Sequence, residues 1–185
     1  MEFDENLATI HAYLCADGYV IKNPEKQKHK YYRIGLRNTN TILLEDFQNK
    51  FIAFFKVKPH ISYGERCSVG SKHIYLELTK DFSYYSYEWK MPKLSKTLLS
   101  PWLRAFFDCE SWVEVQKAKS RLIGLECVNK TGLKEVQDSL NRFKIKSTIN
   151  KRNDRHIWRL NICGKDNLKR FKKEIGFLHL DKSIA

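Results

Sequence analysis

The chain has 185 residues, 42% of them hydrophobic and 30% charged, and its 34 Lys and Arg against 21 Asp and Glu leave a formal charge of +13. That composition suits one packed core, or two small halves sharing one, and excludes a disordered chain. No apolar run reaches the roughly 20 residues of a membrane span, and the cysteines at 15, 67, 109, 127 and 163 are too dispersed for a CxxC metal site or a disulfide framework. The positive balance points to a polyanionic partner, above all nucleic acid. The opening MEFDEN is acidic where a signal or transit peptide would be basic, so the expectation is a soluble cytoplasmic protein with no membrane partner.

Asp4 is placed to cap a helix over 5–16. A strand of period-two alternation follows, then a second strand at 31–38, a helix at 41–55, a strand pair that takes in HIYLEL (73–78), and a closing helix at 80–90. The short connection MPKLSK (91–96) contains no Pro/Gly/Ser-rich linker, so the two flanking halves should pack as one unit. Ser100 and Pro101 read as the capped start of a helix at 101–110. Strands at 113–116 and 121–128, a helix at 130–142, a strand pair ending in IWRLNI (157–162) and a helix at 165–175 complete the chain. The fold class is α+β: two pseudo-symmetric αββαββα halves, 1–92 and 93–185, each an antiparallel sheet with helices on one face and the other face free.

The symmetry is written in the sequence itself. AYLCADGYV (12–20) has the grammar of AFFDCESWV (105–113) at offset 93, RIGLRNTN (33–40) matches LIGLECVN (122–129) at offset 89, and FKVKPHI (55–61) matches FKIKSTI (143–149) at offset 88. HIYLEL is aligned with IWRLNI at offset 84, with both read as strands. Shorter loops in the second copy account for the shrinking offset.

Ala8, Ala12 and Ala16 recur at i, i+4, i+8, and Pro101, Ala105 and Cys109 repeat that stripe. Small side chains on one face let two helix backbones approach closely, so the two phrases should pack on each other. Their C-terminal ends would then coincide, and with them Asp17 and Glu110. Two carboxylates beside the negative ends of two helix dipoles repel unless a cation lies between them. Oxygen ligands alone, with the carbonyls of Ala16 and Cys109 nearby, suit Mg²⁺ rather than zinc. The plainer alternative is that each acid ends a helix in solvent, with Gly18 as the first helix's stop.

IHAYLCADG (10–18) and LRAFFDCES (103–111) each resemble the LAGLIDADG motif, and the chain as a whole resembles a monomeric double-motif LAGLIDADG homing endonuclease of the archaeal intron-encoded type. That resemblance implies paired motif helices at the interface of the halves, Asp17 and Glu110 as catalytic metal ligands with Mg²⁺ or Mn²⁺, and cleavage of both strands of a long asymmetric DNA target to leave 3′ overhangs. An intron RNA maturase or a cleavage-inactive DNA-binding protein of the same fold is the alternative. The departures are Cys15 in place of the motif's first acid, which Asp108 keeps, and Ser111 in place of its final glycine. At the strand end, where the family often sets a polar or basic residue to hold the attacking water, stand Asn38, a plausible substitute, and Cys127, a poor one; Lys117, Lys119 and Lys130 lie near Cys127 in sequence.

The free sheet faces supply the candidate DNA contacts. With Ile34 and Leu36 inward, Arg33 and Arg37 point out. The same alternation exposes Lys58, His60, His73, Tyr75 and Glu77 in the first half, and Lys146, Thr148, Arg159 and Asn161 in the second; with Gln116 and Lys119 these form a set suited to base edges in a major groove. KNPEKQKHKYYR (22–33) reads as a phosphate-contacting loop. FSYYSYEW (82–89) reads as a helix face buried on the back of the sheet, and KRFKKE (169–174) as the exposed face of the last helix.

Overall fold

The computed structural model describes residues 1–24, 26–29, 31–115, 121–152 and 156–183. In the first half, α1 (Glu5–Cys15) leads to β1 (Gly18–Lys22), β2 (Tyr32–Arg37), α2 (Thr41–Phe55), β3 (His60–Ser62), β4 (Arg66–Gly70) and α3 (Lys72–Thr79). The second repeats the order with α4 (Lys96–Glu110), β5 (Ser111–Val115), β6 (Arg121–Cys127), α5 (Lys130–Arg142), β7 (Thr148–Lys151), β8 (Trp158–Cys163) and α6 (Lys165–Glu174), followed by α7 (Leu180–Ser183). The sheets are antiparallel, in the orders β1-β2-β4-β3 and β5-β6-β8-β7, so the expected α+β architecture of two αββαββα halves is borne out. No described helix is long and apolar enough to cross a membrane.

Local chemistry sets these boundaries. Asp4 Oδ1 accepts from the Leu7 amide at 2.8 Å, and Asn40 and Asn129 cap α2 and α5 in the same way. Both of those helices end on a lysine in the left-handed region, Lys56 (φ 57°) and Lys144 (φ 58°), so the match between FKVKPHI and FKIKSTI is a match of helix stops.

Two expected elements fall elsewhere. HIYLEL is helix α3, not a strand: Ser71 caps it by accepting from the Ile74 amide at 3.3 Å, and Ile74 and Leu78, four apart, are its buried residues. The strand expected there is β4, which pairs with β3 in a hairpin that turns at Gly64 (φ 76°). The true counterparts of β8 and α6 are therefore β4 and α3, and 80–90 contains no helix. Within FSYYSYEW, Trp89 is buried against Phe106 (ring centroids 5.1 Å) and Phe82 sits edge-on to His11 (4.6 Å), while Tyr85 and Tyr87 are exposed. That packing is on the motif helices rather than the back of the sheet. Likewise α4 starts at a Ser95 cap, not at Ser100, and carries Pro101 inside it; the Ser100 hydroxyl instead donates to the Glu174 carbonyl at 2.5 Å.

Helices α1 and α4 pack on each other more extensively than any other two helices. Ala8, Ala12 and Ala105 are buried in that contact, as the small-residue stripe requires. His11 crosses it: Trp102 Nε1 donates to His11 Nδ1 at 3.2 Å, which puts the neutral ring's proton on Nε2, a buried atom with no partner among the described residues. Burial lowers the His11 pKa to about 3. Because the folded value lies below the ordinary 6.5, the contribution is intact above pH 6.5 and is lost as the pH falls towards 3. Between pH 7 and pH 5 this linkage amounts to about 2 kcal/mol. Urea unfolding of wild type and His11→Phe at both pH values is expected to show that extra loss in the wild type alone; parallel losses would remove His11 as its source.

Candidate active site and nucleic-acid interface

The close approach of α1 and α4 delivers Asp17 and Glu110 to one place. Burial and the neighbouring Asp17 carboxylate push the Glu110 carboxyl up to about 7, with the Lys182 ammonium opposing the shift. Cys109, from the same helix end, is raised well above the ordinary thiol range by burial, then by Asp17 and Glu110. Glu110 thus feels Asp17 across the interface.

Asn38, one residue beyond β2, has its amide nitrogen donating to Asp17 Oδ2 at 2.8 Å, while its own Oδ1 accepts from the Asn40 amide at 2.8 Å. The backbone reinforces the contact, since the Arg37 amide donates to the Asp17 carbonyl at 3.1 Å. Cys127 makes the equivalent turn, its Sγ accepting from the Asn129 amide at 3.3 Å, yet it has no amide to offer Glu110. Burial, with Glu110 adding to it, pushes the Cys127 thiol up to about 11, so it stays neutral and cannot serve as a base at ordinary pH. Sequence and structure agree that the two halves of this site are chemically unequal.

Among the described residues no cluster of three or more His, Cys, Asp or Glu side chains forms a ready-made metal cage. What the residues do offer is a carboxylate from each half beside the carbonyl ends of two helices. That donor set is all oxygen and over-negative once Glu110 ionises, and it fits a hard divalent cation whose remaining ligands come from phosphate and water.

The outer face of the first sheet carries Tyr19 and Ile21 on β1, Arg33 and Arg37 on β2, Arg66 and Ser68 on β4, and His60 and Ser62 on β3; pairs such as Ile21↔Arg33, Arg37↔Arg66 and His60↔Ser68 align them. Trp112, Glu126, Arg159, Asn161, Thr148 and Asn150 share the outer face of the second. Of the sequence candidates, Arg33, Arg37, His60, Thr148, Arg159 and Asn161 lie on these faces. Lys58 and Lys146 are exposed in the segments that lead into β3 and β7. His73 and Tyr75 do not belong there: they ride on α3, and Tyr75 packs against Tyr32 at 5.1 Å on the covered side of the sheet. Gln116 and Lys119 lie outside the described residues. Sequence reading missed Arg66 and Ser68, although the Gly64 turn between alternating Ile61 and Cys67, Val69 marks a hairpin.

In both sheets an aromatic residue pairs with a glycine, Tyr19 with Gly35 and Trp112 with Gly124; a Cβ on Gly124 would collide with the Trp112 ring, and one on Gly35 with the Cys67 carbonyl, the Tyr19 hydroxyl and Ser68 Cβ. An arginine then covers each ring, Arg37 at 5.3 Å from the Tyr19 centroid and Arg159 at 5.1 Å from that of Trp112. Arg159 is also engaged by Glu126, whose Oε1 accepts from Arg159 Nη2 at 2.7 Å and from Arg152 Nη1 at 2.8 Å.

The fold has known counterparts. Residues 98–176 match the LAGLIDADG-like domain, and the chain has the double-motif LAGLIDADG fold in a single polypeptide. Its likeness to the homing endonuclease I-DmoI covers nearly the whole chain. Mesophilic variants of that protein superpose with a TM-score of 0.69 at 21% identity, over 92% of each chain. A glycine-to-serine variant of I-DmoI in complex with its target DNA in the presence of Mg gives 0.68 at 21% identity, over 93% of this chain and 98% of that one. A curated relative, glutamine–fructose-6-phosphate aminotransferase of Methanocaldococcus jannaschii, is 25% identical over 186 aligned residues, or 89% of this chain. The match spans only 16% of that protein's length, about a sixth.

Two outcomes follow from the site. Because Glu110 titrates near 7, Mg²⁺ should raise the melting temperature of the DNA-free protein more at pH 8 than at pH 6, and Asp17→Asn should erase the difference; equal shifts at both pH values would show that the acids do not hold the ion together. Glu126→Gln releases two guanidinium groups, so binding to random duplex DNA should tighten severalfold and the log–log salt slope should steepen by about one to two. An unchanged slope would mean that Arg152 and Arg159 reach no phosphate.

Proposed function

We propose that the protein is a site-specific endonuclease that hydrolyses both strands of a long asymmetric DNA target, leaving 3′ overhangs. One observation carries this reading: the chain places a carboxylate from each half at the abutting ends of α1 and α4, between two sheets whose outer faces carry arginines. I-DmoI, whose fold it shares, has been seen with its target DNA and Mg and with DNA and Mn. The two sheets differ at nearly every outer position, which suits a target whose half-sites differ.

In this reading Asp17 and Glu110, with the carbonyls of Ala16 and Cys109 near them, would hold Mg²⁺ or Mn²⁺. The cation would supply positive charge to the scissile phosphate and to the departing 3′ oxygen. The protein's own part is orientation and charge. Asn38 fixes the rotamer of Asp17 through the 2.8 Å hydrogen bond. Arg33, Arg37 and Arg159 favour guanine edges through paired donors, and Lys58 and Lys146 contact phosphate. Cys127 contributes no general base. Its inertness favours, as a second reading, a descendant that binds nucleic acid without cutting it.

The deciding experiment is selection of cleaved duplexes from a randomised library with Mg²⁺, run beside Asp17→Asn and Glu110→Gln. Wild type should produce cuts of fixed stagger, and each variant should cut at least about 100-fold more slowly. Retention of one duplex without cutting would favour the binding-only protein; retention of a structured intron RNA would favour a maturase.

A further inference from the structure

Beyond α6 the chain turns back towards the paired acids. Asp108, almost fully buried on α4, accepts from the backbone amides of Leu178 (3.1 Å to Oδ2) and His179 (3.0 Å to Oδ1), which pins this C-terminal segment to the end of the motif helix. The first half has Cys15 at the matching position, where Sγ lies 3.5 Å from His11 Nδ1. The acid at this position thus has a physical role in the second copy, where it anchors the returning segment through backbone amides, whereas the segment that returns in the first copy packs on His11 through the Phe82 and Tyr84 rings.

The anchor delivers a cation. Lys182, on α7, donates from Nζ to the Asp108 carbonyl at 2.6 Å and to the Phe107 carbonyl at 3.3 Å, so its ammonium caps the negative end of the α4 dipole. An ammonium has three donors and the two carbonyls take two. Among the carboxylates its charge acts first on Asp108, then on Asp17 and Glu110. In the first half the companion of the acid is Asn38, from a strand end; in the second the strand end holds Cys127, which cannot serve.

We propose that Lys182 is the positioning cation of the Glu110 half of the active site, supplied by the C-terminal segment in place of the strand-end residue that Cys127 does not provide. The proposal rests on the endonuclease reading for its effect on cutting. Its pairing with the acids rests on the place of the ammonium at the end of α4, on the carbonyl two residues before Glu110. The ammonium holds the carbonyls at the end of α4 and sets its charge beside the two carboxylates before a duplex arrives.

Two measurements test it, the first without DNA or metal. In EDTA at pH 8.5, urea unfolding of Lys182→Gln, Glu110→Gln, Asp17→Asn and the two double variants with Lys182→Gln forms a pair of cycles. Gln keeps a donor for the carbonyls and loses the charge. Its effect on the folding equilibrium should be about fivefold or more smaller once either acid is neutralised. Effects that multiply independently, within about twofold, would overturn the proposal and leave Lys182 as a tether of the tail. Lys182→Arg should restore the wild-type value, and a folding defect in Gln that Arg does not rescue would mark the role as packing. The second measurement uses supercoiled plasmid bearing the selected site: Lys182→Gln should accumulate nicked circles, because Asp17 keeps Asn38 as a companion whereas Glu110 is left with none from its strand end. Wild-type strand balance in Lys182→Gln would overturn the proposal. A wild type that cuts nothing would sink the endonuclease reading instead, and the cycles would still decide whether Lys182 pairs with the acids.

Discussion

The contact between α1 and α4 is the constraint from which the rest of the molecule follows. Alanine at positions 8, 12 and 105 allows the two backbones to approach, and the approach aligns the ends of two helices that each finish in an acid. Everything distal to those ends inherits the alignment: β1 and β5 leave directly from the acids, each sheet grows outward from that first strand, and α2 and α5 cover the inner faces. A helix pair held apart by larger side chains would separate the carboxylates and splay the two sheets. Close packing and an electrostatically costly juxtaposition are thus one design decision, in which apolar burial along the helices offsets repulsion at their tips.

The pseudo-twofold relation is strict in the backbone and loose in the chemistry. Matching left-handed lysines end α2 and α5, and matching asparagines cap the same helices. The acids, however, have different companions. A strand-end amide steadies Asp17, whereas the neighbourhood of Glu110 contains an inert thiol, a buried Asp108 and an ammonium brought from the far end of the chain. Duplicated backbones conserve shape because shape is set by caps, turns and packing. Local charge is free to be solved differently in each copy.

How much of this the sequence discloses depends on the kind of signal. The motif helices, the paired acids, the central strands and the helices after them rest on local patterns that tertiary structure did not override, and the two phrases named the fold. The failures have specific causes. HIYLEL contains both a period-two set, Ile74, Leu76 and Leu78, and a period-3.6 set, and only the Ser71 cap decides in favour of the helix; Leu76 ends up exposed. That error displaced His73 and Tyr75 onto the wrong surface and hid Arg66 and Ser68. Pro101 suggested a helix start because proline favours the first turn, but α4 had already begun at Ser95. The role of Lys182 was invisible in a different way: it depends on a contact across 74 positions, to which no periodicity points.

The two aromatic residues that face Gly35 and Gly124 set the height of the floor beside the acids. At each glycine the facing aromatic side chain occupies space that a Cβ would take, and an arginine lies over its ring. Two residues with no side chain thereby govern how far Arg37 and Arg159 stand out from their sheets. A methyl group at Gly124 would displace the Trp112 ring, like a shim under a tile, and Arg159 with it, whereas one at Gly35 would press on the Cys67 carbonyl as well as on the Tyr19 hydroxyl. The reach of these cations is therefore encoded one layer below them, at positions that no catalogue of exposed residues would include.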